Sequence, residues 1–325
     1  MDNVLVTGGA GYIGSHTCLD LATKGFNPVV FDNFSGGHPE FVRWGPAETG
    51  DIRDAKRLDE VFEVYRPVAV VHFAALIEVG QSIQDPLSFY DNNVAGTISL
   101  LNAMRRAGCD RIVFSSTCAT YGDPVALPMD ETHPQAPLNP YGRSKLMVER
   151  ILADLSERST MRHVALRYFN AAGADAEGRI GERHDPETHA VPLAIEAALG
   201  RRPGFKVFGT DYDTRDGTCI RDFVHVADLA DAHSRAIGYL LDGGDSTALN
   251  LGTGTGTSVR ELLTAIEDRA GRKIAAQETE RRPGDAPVLV ADSSAAQRVL
   301  GWRAARTLSE IVDTAWRWHA RANRF

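Results

Sequence analysis

A glycine-rich turn near the amino terminus constrains the fold more than any other feature of the chain. The apolar run NVLVT at residues 3–7 leads into Gly8, Gly11 and Gly14, and a stretch with helical character follows to about Lys24. Glycine at such a turn lets the backbone bend tightly and approach a pyrophosphate, whose charge the helix N-terminus attracts. Glycines also serve ordinary turns, so the pattern gains meaning only from the strand and helix on either side.

Apolar runs alternate with segments long enough for helices through the first half of the chain. The later runs lie at 28–31, 68–73, 111–115 and 163–169, and the helical segments at 54–65, 86–107 and 140–158. Continuous apolar runs that alternate with helices are typical of a doubly wound parallel sheet. We therefore expect an α/β fold of the Rossmann type.

The composition changes after Asn170. Residues 171–188 are rich in Gly, Ala, Asp and Glu without a clear period, which is typical of a loop. Further helices are predicted at 189–200, 226–241, 258–270 and 307–322, and strands at 205–208 and 248–251. Ser258 and Glu261 have the spacing of a capping box. We expect a smaller, mixed α/β C-terminal substrate domain that leans on the sheet.

Composition excludes several classes of protein. The 325 residues carry a net charge of −8 without a long run of one sign, which argues against a nucleic-acid surface. No stretch approaches the roughly 18 apolar residues of a membrane span, and no signal-like segment begins the chain. The four cysteines are scattered without CxxC spacing, so we expect no disulfide framework, no metal site and a cytoplasmic location.

Asp32 follows the glycine turn at the end of the second predicted strand. A carboxylate there can accept hydrogen bonds from an adenosine ribose and would repel a 2′-phosphate, which favours NAD over NADP. Taken alone, Asp32 is more often a turn-forming residue before Asn33 than a ribose ligand. Strand, glycines, helix and acid together favour the dinucleotide interpretation.

Tyr141 and Lys145 lie four positions apart, so their side chains share one face of a predicted helix. Asn139 suits the N-cap and Pro140 the first helical position. A nearby ammonium, the helix N-terminus and a bound cation would each lower the pKa of the tyrosine from its usual value of about 10. Such pairs also occur by chance. The hydroxyl cluster at 115–117, at the end of a predicted strand, favours a site because ligands of open α/β sheets bind there.

The ordered series of motifs resembles the extended short-chain dehydrogenase/reductase family and, more narrowly, the UDP-glucose 4-epimerase family. The matching segments are TGGAGYIG (7–14), GDIRD (50–54), VHFAALIEVGQS (71–82), YDNNVAGT (90–97), SSTCATYGD (115–123), NPYGRSKLMVE (139–149), LRYFNAAGA (166–174), FGTDYDTRDGTCIRDFVHVADLADAH (208–233) and RRPGD (281–285). The resemblance implies interconversion of UDP-galactose and UDP-glucose through a transient 4-keto intermediate, with tightly bound NAD.

The resemblance also implies the domain boundaries and the assembly. It assigns residues 1–170 and 222–250 to an NAD-binding Rossmann domain and residues 171–221 and 251–325 to a UDP-sugar-binding domain. Family members suggest a homodimer, formed through the helices predicted at 86–107 and 140–158.

The catalytic group implied by the resemblance is Tyr141, Lys145 and Thr117. Tyr141, as the phenolate, would take the proton of the sugar O4. Lys145 would bind the nicotinamide ribose and lower the pKa of Tyr141, and Thr117 would hydrogen-bond O4 or relay its proton. The implied NAD site comprises Gly8, Gly11, Tyr12, Ile13, Gly14, Asp32, Asn33, Asp51, Ile52, Phe73, Ala74, Asn92, Tyr141, Lys145, Tyr168 and Phe169.

The implied substrate site combines residues of both halves. Its members are Thr117, Tyr141, Asn170, His189, Phe208, Arg221, Arg282 and Leu289. Phe208 would lie beside the uracil. Arg221 and Arg282 suit a diphosphate because each guanidinium offers a planar fork of donors.

Three positions depart from the family pattern. Ile77 stands where many epimerases have a lysine near the cofactor. His189 replaces an asparagine commonly found near the substrate phosphates. Leu289 occupies a position proposed to control pocket size, which leaves open whether N-acetylated sugars fit.

Several alternatives follow from the same residues. Dehydratases of this fold carry an Asp-Glu pair where this chain has Cys118 and Ala119, which cannot do that acid–base work, so dehydration is not expected. A 4-epimerase of UDP-xylose/UDP-arabinose or UDP-GlcNAc/UDP-GalNAc and an NAD-dependent sugar-nucleotide dehydrogenase stay open. A non-catalytic NAD-binding protein would not need the Tyr/Lys/Thr group.

Overall fold

Strands and helices alternate through the first half of the chain in the computed structural model, which describes residues 1–282 and 285–321. The strands there are β1 (Asn3–Thr7), β2 (Asn27–Asp32), β3 (Ala47–Thr49), β4 (Ala69–His72), β5 (Arg111–Thr117) and β6 (Arg162–Tyr168). The helices are α1 (Tyr12–Thr23), α2 (Ala55–Tyr65), α3 (Val79–Gln84), α4 (Pro86–Tyr90), α5 (Gly96–Ala107) and α6 (Pro140–Arg158).

The second half contains shorter strands. They are β7 (Asn170–Ala172), β8 (Phe205–Phe208), β9 (Ile220–Arg221), β10 (Phe223–His225), β11 (Thr247–Leu251), β12 (Thr257–Ser258), β13 (Ala276–Thr279) and β14 (Val288–Leu289). Its helices are α7 (Ala190–Ala198), α8 (Val226–Leu241), α9 (Val259–Ala270), α10 (Ser294–Leu300) and α11 (Leu308–Arg321).

Seven parallel strands form the central sheet, in the order β11-β6-β5-β4-β1-β2-β3. Apolar side chains of α1, α8 and α10 form a core with the sheet strands, and those of α2, α5 and α6 form a second core with them. Strands covered on both faces read as continuous apolar runs, and all four residues of β4 are buried. The predicted doubly wound Rossmann fold is confirmed.

The strand order reverses between β1 and β4. β1 pairs with β2 on one side and with β4 on the other, and the chain then continues outward in both directions. Such a reversal opens a crevice at the carboxyl ends of the two strands, where ligands of this fold bind. The glycine turn after β1 therefore borders the crevice.

A separate hydrophobic cluster holds the smaller mixed α/β part together. Buried side chains from α7, α9 and α11 meet those of β8 there, among them Ile195, Val207, Ile266 and Ile311. Its short strands form small sheets, in which β8 pairs with β13 and β9 lies between β12 and β14. The domain boundaries given above stay a prediction.

Local signals located several helices correctly. The Asn139 side chain accepts a hydrogen bond from the Gly142 amide at 2.9 Å, and Pro140 is the first residue of α6. Ser258 and Glu261 form the predicted capping box at the start of α9. The single helix predicted at 86–107 is instead α4, a π-helical turn over Asp91–Ala95, and α5.

Residues 171–188, predicted as a loop, contain only the end of β7 before an irregular segment that continues to α7. The four cysteines are free thiols. Within the described residues, no helix combines the length and apolarity that crossing a bilayer requires.

Candidate active site

The residues predicted for the dinucleotide and the reaction form a row along the carboxyl edge of the central sheet. In the spatial order of the strands they are Asp51 and Ile52 beyond β3, Asp32 and Asn33 at β2, Gly8 to Gly14 after β1, Phe73 and Ala74 after β4, Thr117 at β5, and Tyr168 and Phe169 at β6. The structure thus brings together groups far apart in the sequence, as expected for parallel strands that end at one edge.

The turn after β1 requires glycine on steric grounds. Gly8 has a φ of +72°, and a Cβ on Gly14 would lie 2.3 Å from the Gly8 carbonyl oxygen. No side chain caps the N-terminus of α1, and its first turn carries no acidic residue. The amide groups of Tyr12 and Ile13 therefore begin a helix whose positive end suits a phosphate.

Adding one methyl group at the turn tests this close packing. We expect Gly14→Ala to lower the free energy of unfolding by about 1–3 kcal/mol, because neither backbone segment can move aside easily. Urea denaturation would measure the change. The matched control is Gly238→Ala, also in a helix, where the added methyl group meets no atom within 4 Å. That variant should be as stable as the wild type or more stable, because alanine favours helix; equal losses in both variants would contradict the steric account.

Asp32 lies at the end of β2 and is almost fully buried. Its carboxylate accepts hydrogen bonds from the amides of Ala10 at 3.0 Å and Phe34 at 2.8 Å. Burial raises the pKa of Asp32, although these two bonds act in the opposite direction. The turn-forming role considered above is thus real, and each oxygen still has capacity for a second donor such as a ribose hydroxyl.

Asp51 and Asn33 lie side by side beyond Asp32. The Asn33 side chain donates to the Asp51 carboxylate at 3.1 Å. Arg53 donates to both Asp51 oxygens, at 2.9 and 2.8 Å, and holds the pKa of that carboxyl well below its usual range. Ile52 is buried and packs against Gly96.

The other wall of the crevice follows β4. The amides of Phe73 and Ala74 both donate to the Thr7 carbonyl, at 2.9 and 3.1 Å. Asn92 lies on the π-helical turn and donates to the Asn93 side chain at 3.0 Å. The bonds of Phe73 and Ala74 fix the segment after β4 against the end of β1.

Lys145 reaches from α6 to the end of β5. Its ammonium donates to the Ser115 carbonyl at 2.9 Å and lies 5.0 Å from the centre of the Phe114 ring. The side chain is buried, and burial lowers its pKa to about 7. The Ser115 hydroxyl in turn bonds the Tyr168 hydroxyl at 2.5 Å.

Tyr141 lies one turn before Lys145 and close to Thr117. Burial raises the pKa of Tyr141 above its usual value, the Tyr168 hydroxyl adds to the rise, and a hydrogen bond with the Thr117 hydroxyl opposes it. The sequence-based expectation of a lowered pKa is therefore wrong for the chain's own groups. Desolvation of the phenolate outweighs the effect of the neighbouring side chain.

A buried ionic network beneath the catalytic residues escaped the sequence analysis. Glu149 on α6 pairs with Arg167 on β6 at 2.6 Å, accepts from Gln135 at 3.1 Å and accepts from the Ser116 hydroxyl. Arg167 also donates to the Tyr121 hydroxyl at 3.0 Å. The network joins α6 and β5, which carry the Tyr/Lys/Thr group, to the neighbouring strand β6. Its only sequence signal is one polar or charged residue at an inward position of each element: Glu149 on α6, Ser116 on β5 and Arg167 on β6.

Asn93 is a second positioning residue that sequence reasoning missed. Its side chain accepts from the Leu76 amide at 2.8 Å and donates to the Leu76 carbonyl at 3.0 Å and to the Ser144 hydroxyl at 3.1 Å. It therefore ties the segment after β4 to the first turns of α6. Ile77, in the same segment, is partly exposed.

Residues predicted for the substrate also meet one another. Asn170 begins β7, which lies outside the central sheet, and its backbone amide donates to the Asp222 carbonyl at 2.9 Å. The neighbouring Arg221 lies opposite Leu289 in the pairing of β9 with β14. The Arg282 guanidinium stacks on the Phe208 ring at 4.3 Å. Phe169 and Leu289 pack in one small apolar cluster.

His189 precedes α7 and lies between two carboxylates. Its Nδ1 is 3.0 Å from Glu182 and 3.1 Å from Glu187. Burial alone would lower the pKa of His189, but the bonds with the two carboxylates raise it to about 10. Nearby, the Tyr12 hydroxyl donates to the Gly173 carbonyl at 2.6 Å and links α1 to the segment before α7.

Comparison with known proteins gives the same assignment along nearly the whole chain. Residues 5–315 match the family model described as GDP-mannose 4,6 dehydratase. The chain is 66% identical over 322 residues to UDP-glucose 4-epimerase of Rhizobium leguminosarum bv. trifolii, which covers 99% of this chain and 98% of that protein.

Two solved structures extend the likeness to three dimensions. UDP-glucose 4-epimerase from Brucella ovis in complex with NAD is 51% identical, with a TM-score of 0.96 and coverage of 98% of this chain and 99% of that one. The enzyme from Stenotrophomonas maltophila, with bound NAD and formylated UDP-arabinopyranose, is 41% identical, with a TM-score of 0.97 and coverage of 100% and 99%. The chain therefore belongs to the UDP-glucose 4-epimerase family of the extended short-chain dehydrogenases/reductases.

Proposed function

We propose that the chain is an NAD-dependent UDP-glucose 4-epimerase that interconverts UDP-galactose and UDP-glucose. The observation that supports the proposal is that Tyr141 and Lys145 of α6 contact the carboxyl end of β5 at Thr117 and Ser115, on the same edge of the sheet as the glycine turn after β1. Family membership supports the same activity. Cys118 and Ala119 follow Thr117 where dehydration would need two acids, which supports epimerisation over the reaction in the family model's name.

The crevice suits NAD in shape and charge. The glycine turn and the uncapped start of α1 can hold the pyrophosphate, and the buried Asp32 carboxylate faces the position of a ribose and would repel a 2′-phosphate. The remaining members of the proposed NAD site, from Asp51 to Phe169, follow the same edge of the sheet. When bound, NAD supplies the acceptor and donor of the hydride at C4 of the sugar.

Tyr141 acts first as a base and then as an acid at the sugar O4. It removes the O4 proton as the 4-keto sugar forms, and it returns the proton after the sugar has turned over in the pocket. Because burial favours the neutral phenol, a positive charge must stabilise the phenolate. Lys145, on the same helix face, would supply part of that charge when it is protonated. Thr117 positions O4 through its hydroxyl. The reaction is an isomerisation without net oxidation.

The UDP moiety would be held by the second part of the chain. Arg221, Arg282 and Asn170 would face the phosphates, and the Phe208 ring the uracil. The His189 imidazole is instead held by Glu182 and Glu187. Leu289, opposite Arg221, would limit the room beside the sugar. Arg282 stacks on Phe208, so one contact would order both groups for the nucleotide.

Adjacent arginines provide a matched test of this assignment. We expect Arg282→Ala to raise KM for UDP-galactose by roughly 10- to 100-fold with little change in kcat, because a charged hydrogen bond to the diphosphate is worth about 1.5–3 kcal/mol. Arg281 instead bonds Asp211 at 2.8 Å and stacks on Tyr212. Arg281→Ala should leave KM within about twofold of the wild type, and the opposite ranking would refute the assignment.

Product analysis tests the activity itself. Purified protein is incubated without added cofactor, in turn with UDP-galactose, UDP-xylose and UDP-N-acetylglucosamine, and the products are separated by chromatography. We expect UDP-glucose from UDP-galactose, with no stoichiometric change in absorbance at 340 nm. Cofactor-dependent reduction at 340 nm would instead identify a dehydrogenase. The UDP-arabinopyranose in the Stenotrophomonas maltophila structure makes the pentose pair the second candidate.

We also propose a homodimer. Large apolar side chains are exposed on neighbouring helices: Ile83 on α3, Leu87 on α4, Ile98 on α5 and Met147 on α6. Because α3 and α4 both pack on α6, these side chains can form one face for a second copy of the chain. Light scattering should give the dimer mass for the wild type and the monomer mass for Leu87→Lys. Val125→Lys, at another exposed apolar position, should stay dimeric, and a monomeric wild type would rule out the proposal.

A cytoplasmic location completes the proposed function. All four cysteines are free thiols, and Cys18, Cys109 and Cys219 are buried. Thiols persist in a reducing compartment, where disulfides are rare. The UDP-sugar proposed as substrate is the chain's expected partner, and the net charge of −8 does not favour nucleic acid.

A further inference from the structure

Four potential metal ligands meet in the irregular segment before α7. Glu182, His184, Glu187 and His189 each offer one donor atom, and these atoms all lie within 4.8 Å of one another. We call them the Glu/His cluster. Two imidazoles and two carboxylates are a donor set that zinc accepts.

The distances within the Glu/His cluster match the edges of a tetrahedron around a small cation. His189 Nδ1 lies 3.0 Å from Glu182 and 3.1 Å from Glu187, and His184 Nδ1 lies 3.6 and 3.7 Å from the same two carboxylates. With zinc–ligand bonds of about 2.0–2.1 Å, neighbouring donor atoms of a tetrahedral site are about 3.3 Å apart. The two Glu187 distances end on different oxygens of its carboxylate, so with one Glu187 oxygen as the ligand, three of the six edges already have nearly the required length.

His184 supplies an independent observation. Its Nδ1 atom is buried and has no hydrogen-bond partner. The distances of 3.6 and 3.7 Å to the two carboxylates are too long for hydrogen bonds. Buried polar atoms are nearly always satisfied, and a cation between the imidazole and the carboxylates would satisfy this one.

The charges of the Glu/His cluster also favour a bound cation. Glu182 is only 3% exposed, and Glu187 lies beside it. Among the described residues, the ion-pair partners of these two carboxylates are His184 and His189, and neither carboxylate pairs with a lysine or an arginine. A protonated His189 can offset only one of these two negative charges, whereas one divalent cation would balance both while the histidines stay neutral ligands.

We propose that the Glu/His cluster is a structural zinc site. All four protein ligands are present, which is typical of structural rather than catalytic zinc. The site would fasten the segment before α7 to two other elements. The His184 ring meets the Tyr12 ring of α1 edge-on at 6.5 Å, and the Trp318 ring nitrogen of α11 donates to the Glu182 carbonyl at 2.8 Å. Zinc would thereby brace Tyr12, at the edge of the dinucleotide crevice.

Zinc binding can be measured on the full chain without substrate. Protein purified without a metal-chelating tag is treated with EDTA, dialysed and titrated with zinc sulfate by calorimetry. We expect one zinc ion per chain, together with a rise in Tm. His184→Gln and Glu187→Gln should each lose the binding and the rise in Tm.

Glu177→Gln is the matched control, because this exposed carboxylate lies in the same segment but outside the cluster. It should bind zinc like the wild type. Absence of zinc binding in the wild type, or binding unchanged in both His184→Gln and Glu187→Gln, would overturn the proposal. Circular dichroism of the metal-free variants separates lost ligands from lost structure, and His189→Asn is the further variant if either fails to fold. Since no substrate is involved, failure here leaves the proposed epimerisation untouched.

Discussion

Replacing Tyr141 by phenylalanine lowers kcat for UDP-galactose by roughly 10²- to 10⁴-fold, the usual contribution of a positioned acid–base group. Only the hydroxyl that exchanges a proton with O4 is lost, and the ring still fills its place on α6. Bound NAD and the thermal unfolding midpoint should therefore stay close to those of the wild type. Steady-state kinetics, the absorbance of released cofactor and circular dichroism measure the three quantities.

Tyr239→Phe is the matched control for that variant. Tyr239 lies near the end of α8, where the neighbouring Leu240 carbonyl accepts from Arg111 at the start of β5. That contact places it at the amino edge of the sheet, opposite the proposed active site. Near-normal kcat in Tyr141→Phe, or an equal loss in Tyr239→Phe, would remove Tyr141 from the mechanism.

The second large effect is expected from Arg167→Met, which should lower the stability of the protein. The substitution leaves the Glu149 carboxylate buried without its cation, and breaking a buried ion pair in this way costs about 3–5 kcal/mol. The free energy of unfolding, measured with urea, should fall by that amount. Because the network joins β6 to α6 and β5, the two elements that carry the catalytic group, kcat should fall as well.

Arg106→Met is the control for the buried pair. Arg106 pairs with Asp59 at 2.7 Å, but both side chains are 47% exposed. Exposed pairs of this kind contribute less than about 1 kcal/mol, so this variant should unfold close to the wild type. Similar losses in the two variants would show that burial of the Glu149–Arg167 pair is not the cause.

The central sheet was predictable because its strands and turns are local patterns. Each buried run, the glycine turn and the Asn139–Pro140 helix start can be recognised within a few residues, and the row of site residues then follows from where parallel strands end. The capping box at Ser258 was predicted correctly for the same reason.

The parts that were missed depend on contacts between distant residues. Strands of two residues, such as β9 and β14, have no period to detect and exist only because they pair with other strands, β9 with both β12 and β14. The Glu149–Arg167 pair joins positions 18 apart in the sequence. The raised pKa of Tyr141 depends on burial, which spacing on a helix does not reveal. The Glu/His cluster lies in a segment without periodicity, where only the close spacing of two Glu and two His gave a signal.

The central claim is that hydrogen leaves C4 of the sugar and returns to it within one closed site. Conversion of UDP-galactose labelled with deuterium at C4, in ordinary water and without added cofactor, tests this most directly. The account predicts UDP-glucose that keeps the deuterium at C4, as measured by NMR and mass spectrometry. Product that has lost the deuterium to solvent would contradict it.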